Sequence, residues 1–88
     1  MPRYFFHVRD GVSTPDETGT ELSDLDQARI EAIQLTSQIF RDEARRIARG
    51  EDWFLEVTDE ARLVLLRFDF ISQEAPAASR LRRPTPQE

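Results

Sequence analysis

Eighty-eight residues suffice for one small domain, and a chain this short buries only about 60% of its unfolded surface, so its core is slim. With no cysteine it excludes disulfides and thiolate metal sites, and no apolar run approaches the ~18 residues that span a bilayer. The net charge of −5 divides as −6 over residues 1–71, nine arginines against fifteen acids, and +1 over residues 72–88; the acidic body disfavours nucleic acid as a partner.

The first run, Arg3-Tyr4-Phe5-Phe6-His7-Val8-Arg9, is rich in aromatic and β-branched residues and is closed by the turn signal Asp10-Gly11, so it is expected to be a strand. Alternation sets Tyr4, Phe6 and Val8 on one face and Phe5, His7 and Arg9 on the other. Residues 12–21, with Pro15, Gly19 and several polar side chains, are expected to form a loop with a short edge strand at Gly19–Leu22.

Ser23-Asp24-Leu25-Asp26 is a helix-start signature, in which Ser23 is expected to accept from the backbone N–H of Asp26. The helix is expected to run to a left-handed cap at Gly50, with Arg45, Arg46 and Arg49 at its negative end. At 1.5 Å per residue such a helix is about 39 Å long against a sheet of roughly 25 Å, so it must overhang, bend or break. Leu25, Ala28, Ala32, Leu35 and Ile39 form one narrow apolar stripe, and Ile33, Phe40, Ala44 and Ile47 form a second, roughly 100° or more around the cylinder. One stripe satisfies a helix lying on a sheet; the second calls for a wide buried face or a further partner.

Two strands follow. Trp53, Leu55 and Val57 alternate with Phe54, Glu56 and Thr58, and a hairpin over residues 58–62 leads into Leu63–Phe70, where Val64, Leu66, Phe68 and Phe70 share the core face. Residues 72–88 turn to Ser, Gln, Ala, Pro and Arg and are expected to be disordered.

The opening Met1-Pro2-Arg3-Tyr4-Phe5-Phe6-His7-Val8-Arg9-Asp10-Gly11 resembles that of a family of small bacterial proteins known only as a domain of unknown function. The likeness continues through Gly19–Leu25, Ala28 and Ala32, and resumes at Trp53 and Leu55–Ala61. The family brings no activity, ligand or catalytic residue. Its members tend to have glycine where this chain has Arg62, which implies a different turn or a strained Arg62, and the charged stretch Arg41–Arg49 is longer here than the family pattern leads one to expect.

Chemistry-bearing constellations are sparse. His7 is the one histidine, placed near Arg9, Glu56, Arg67 and Asp69 on the outer sheet face, where cross-strand ion pairs are the ordinary outcome and a general base oriented by a carboxylate is the rarer one. Asp10, Asp16, Glu17 and Glu21 flank a loop without calcium-loop spacing. Asp42, Glu43 and Arg46 are spaced for ordinary ion pairs along a solvated helix. No phosphate loop, nucleophile elbow or metal-spaced cluster occurs, so no catalytic, cofactor or metal residue is assigned. All twelve cations are arginines and asparagine is missing too, which reads as codon usage rather than selection for guanidinium chemistry.

The expected architecture is an α+β domain over residues 1–71: a small antiparallel sheet (strand, short strand, helix, strand, strand) with one long helix on one face. Its core is Tyr4, Phe6, Val8, Leu25, Ala28, Ala32, Leu35, Ile39, Trp53, Leu55, Val57, Val64, Leu66 and Phe68. Four large apolar groups on the outer face, Phe5, Phe54, Leu63 and Leu65, and the second helix stripe, Ile33, Phe40, Ala44 and Ile47, are the expected interaction surface. The expectation is a non-enzymatic protein-interaction module acting as a homodimer, without cofactor or membrane association, in the cytoplasm because Met1–Tyr4 opens no signal peptide. The alternative is an antitoxin-like regulatory protein that binds a protein partner or, through Arg80-Leu81-Arg82-Arg83, nucleic acid.

Overall fold

The computed structural model describes residues 1–10, 13–50 and 52–81. Strand β1 (Arg3–Arg9) is followed by two short strands, β2 (Ser13–Thr14) and β3 (Thr20–Glu21), then helix α1 (Leu25–Asp42), helix α2 (Ala44–Ala48), and strands β4 (Trp53–Thr58) and β5 (Val64–Phe70). Every pairing is antiparallel, in the order β2-β1-β4-β5, and β3 shares the outer edge of β1 with β2. The chain is therefore α+β, with the long helix against one sheet face.

The helix covers the sheet through its smallest residues. Ala28 and Ala32 have no exposed surface, and they pack with Tyr4, Phe6, Trp53, Leu55 and Val57. Methyl side chains at two consecutive turns let the helix backbone approach the sheet, where larger groups hold it off. Val8, Leu35, Ile39, Phe40, Leu66 and Phe68 line the margin of this core.

The helical segment breaks at Glu43, whose backbone leaves the helical region (φ −116°, ψ 23°). Eighteen residues give α1 about 27 Å, close to the length of the strands beneath it. After the break α2 delivers Ile47 into the core at 7% exposure. Gly50 closes the segment with φ +90° and donates its N–H to the Ile47 carbonyl, the left-handed cap anticipated from sequence.

Several details differ from expectation. The helix cap is Asp24, whose carboxylate accepts from the Gln27 N–H at 2.9 Å, one residue later than Ser23. Leu25 is exposed because it occupies the first turn, beyond the sheet margin. Val64, expected in the core, is 53% exposed: Val57 opposes Leu66 but Thr58 opposes Val64, so Leu65 is an extra residue in a bulge that turns Val64 to the outer face. Ile47, expected at an interface, is a core residue. Within the segment expected to be disordered, Pro76–Arg80 form a 3-10 helix, and residues 82–88 lie outside the described residues.

Candidate functional site

The outer sheet face carries the groups that sequence parity placed there, with loop 15–19 folded over them. Asp16 organises that loop. Its carboxylate accepts the Phe6 N–H at 3.1 Å and the Thr18 and Gly19 N–H groups at 3.0 Å each. Between β2 and β3 the outer edge of β1 is thus closed by a side chain in place of a strand. Burial pushes the Asp16 carboxyl up, but the bonds from Gly19, Phe6 and Thr18, with attraction to the His7 ring, outweigh it and hold the group below its ordinary value.

Both ring nitrogens of His7 are engaged. The backbone N–H of Asp16 donates to Nδ1 at 3.1 Å, and Nε2 lies 3.0 Å from Thr58 Oγ1. A nitrogen that accepts from an amide carries no proton in the neutral ring, so the proton resides on Nε2 and is donated to the Thr58 hydroxyl. That tautomer is the reverse of the one a Thr–His nucleophile pair needs, in which Nε2 takes the hydroxyl proton. Sequence reasoning missed Thr58, although its parity sets it on the face of His7; it is buried.

Glu56 opposes His7 in the ladder, yet its carboxylate turns to arginines: Arg9 at 3.9 Å and Arg67 at 3.4 Å. Arg67 also donates through Nε to Asp69 at 3.0 Å, and its guanidinium lies 3.8 Å over the Phe54 ring. Bonds to Asp69, with attraction to Asp69 and Glu56, raise the Arg67 guanidinium further above its ordinary value. Between β1, the 15–19 loop and the β4–β5 connection lies a groove of ≈ 660 Å³ lined by Phe5, His7, Arg9, Asp16, Glu17, Glu56, Asp59, Glu60, Arg62 and Val64. Five acids against two arginines make its walls acidic, and no metal-holding cluster of three or more His, Cys, Asp or Glu occurs among the described residues.

The residues expected at an interface separate into two groups. Phe5 and Phe54 are half-buried, Phe5 stacked on His7 and packed against the Gly19 backbone, Phe54 under Arg67. Phe40 is half-buried between Trp53 and Phe70, with ring centroids at 4.9 and 4.8 Å. Ile47 is in the core. Leu63 (62% exposed), Leu65, Ile33 (50% exposed) and Ala44 remain open, joined by Val64, Phe70 and Ile71, which the sequence reading did not assign to a surface. Apart from Ala44 and Ile33, all of these lie on or beside β5.

Among the described residues no helix is long and apolar enough to cross a membrane. Of the basic cluster Arg80–Arg83, Arg82 and Arg83 lie outside the described residues. The model of a family described as a domain of unknown function, DUF6894, matches residues 3–71, from the start of β1 to the end of β5. No curated protein and no solved structure matches the chain.

Proposed function

The chain belongs to the DUF6894 family, whose description assigns no activity, and we propose that it is a non-enzymatic protein-interaction module that acts as a homodimer. The observation that carries this reading is the set of exposed apolar side chains along β5, on both faces of the strand, and at Ile33 on α1. Leu63, Val64, Leu65, Phe70, Ile71 and Ile33 are each more than a third exposed on a domain with few large side chains fully buried. Covering several hundred Å² of such surface at ~25 cal/mol per Å² contributes several kcal/mol toward association before its entropic cost. The hydrogen bonding of His7 supports the non-enzymatic side of the reading, since both ring nitrogens are already engaged, by the Asp16 N–H and the Thr58 hydroxyl.

Light scattering between micromolar and millimolar concentration tests the proposal. The expected mass is twice that of the 10.3 kDa chain, falling toward the chain mass on dilution. A constant mass of one chain throughout that range overturns it.

A further inference from the structure

We infer that two copies of this chain join edge to edge through β5, antiparallel about a two-fold axis at Phe68, with Arg67 of each copy opposite Asp69 of the other. This rests on the self-association proposed above and names its surface and register.

The two edges of the sheet are built differently. The far edge of β1 is closed by β2 at Val8–Arg9, by β3 at Arg3–Tyr4, and by the Asp16 carboxylate at Phe6. Strand β5, seven residues long, pairs with β4 alone among the described residues. Along its outer side the backbone groups that do not face β4 form a template for another strand.

Charge selects a second copy as the occupant. Facing residues of an antiparallel pair lie on the same sheet face, so a two-fold between identical strands passes through a residue and never between two. The bulge at Leu65 leaves Leu66–Phe70 as the regular stretch, and its middle residue is Phe68. A two-fold at Arg67 sets arginine against arginine, and one at Asp69 sets aspartate against aspartate. At Phe68, Arg67 meets Asp69 twice, Leu66 meets Phe70 twice, and Phe68 meets its own copy. Arg67 uses Nε and Nη1 within its own chain, on Asp69 and Glu56, and keeps Nη2 for the neighbouring carboxylate.

Packing agrees with this register. The core is centred on β1 and β4, leaving Leu66 and Phe68 half-buried and Phe70 37% exposed. Phe40 reaches Phe70, and Ile33, two turns earlier on nearly the same azimuth of α1, stays half-exposed. An axis perpendicular to the sheet puts both helices on one face, over a continuous row of Leu66, Phe68 and Phe70 from the two chains.

Arg67→Asp and Asp69→Arg, made separately and checked for fold by far-UV circular dichroism, test the register. Each variant alone sets two like-charge pairs across the axis and is expected to weaken its dimer by about tenfold or more. Mixing the two in equal amounts restores opposite charges at both cross-axis pairs of the mixed dimer, and the mixture is expected to recover the wild-type dimer mass. Two variants that dimerise like the wild type overturn this edge while leaving self-association standing, and a mixture of folded variants that stays monomeric overturns the register. A monomeric wild type overturns both proposals. Hydrogen exchange on the wild type covers the case in which a variant does not fold: amide protection within Leu66–Phe70 is expected to rise with concentration, and unchanged protection in a sample of dimer mass overturns the edge.

Discussion

Arg46 on α2 donates from Nη2 to Asp10 Oδ2 at 2.8 Å, fastening the second helix to the end of β1 across 36 residues of sequence. Asp10 is buried, and the same guanidinium reaches Glu43 at 3.2 Å. Bonds to Asp10 and then Glu43 raise the guanidinium further above its ordinary value, so it stays charged throughout the accessible pH range. The spacing of Glu43 and Arg46 announces the local pair; the distant one holds Ile47 over the sheet.

Arg46→Ala is therefore expected to lower the melting temperature by several degrees, whereas Glu43→Ala, which removes an exposed partner, is expected to change it little. Thermal unfolding of both variants in one buffer checks the order; equal losses would place the stabilisation in the local pair.

Arg62 sits at φ +68° in the β4–β5 connection, the left-handed region that costs a side-chain-bearing residue about 1–2 kcal/mol. Around it the turn is well bonded: Asp59 Oδ1 accepts from the Ala61 and Leu63 N–H groups, and the Arg62 N–H reaches the Asp59 carbonyl. Arg62→Gly relieves the backbone at some cost in unfolded-state entropy and is expected to stabilise the chain by about 0.5–1 kcal/mol. Urea unfolding reads the difference as a higher midpoint at unchanged slope.

Asp16 predicts the acid limb. Its folded value lies below the ordinary aspartate value, so the unfolded chain binds this proton first and the stabilisation is present above the unfolded value. It is lost as pH falls through the folded value. Asp16→Ala is expected to cost roughly 1–2 kcal/mol at pH 7, discounted for the solvent that reaches the loop, and its gap from the parent narrows below about pH 4. Chemical denaturation at neutral pH and near pH 3 tests this; a gap independent of pH would remove the carboxylate from the account.

Gly19 and Gly50 both have positive φ, yet they are predicted to differ. A Cβ on Gly19 falls 2.8 Å from Arg3 Cγ and 2.8 Å from Phe5 Cε2, while one on Gly50 meets nothing within 4 Å. Gly50→Ala is expected to cost about 1 kcal/mol of backbone strain alone. Gly19→Ala adds overpacking against Phe5 and is expected to cost roughly 2–4 kcal/mol. Equal losses in thermal unfolding would show that the Arg3 and Phe5 side chains yield freely.

Local patterns made most of the fold legible. Alternation identified the faces of β1 and β4, and the Gly19–Leu22 signal identified β3, because strand parity needs no knowledge of the neighbour. The helix start was misread by one residue because Ser23 and Asp24 are both competent caps, and only the path of the chain into α1 chooses between them. The outer face was legible as a set of residues, His7, Arg9, Glu56, Arg67 and Asp69, but not as a network. Which carboxylate meets which arginine depends on rotamers set across strands, and the Asp16 loop that engages both His7 and Phe6 has no periodic signal at all.

The apolar groups on β5 divide the same way. Leu63 and Leu65 were assigned to a surface from parity, while Val64 was misplaced because a bulge changes parity along the strand without any single residue announcing it. The amino-acid order by itself determined what depends on neighbours within about four residues: strand faces, helix stripes and the Gly50 cap. Tertiary structure decided what depends on a partner brought from afar: the break at Glu43 that buries Ile47, the Arg46–Asp10 bond, the closed edge of β1 and the open edge of β5. The physical reason is range, since torsional preference and periodicity act along the chain, whereas contact and desolvation act only once distant segments have met.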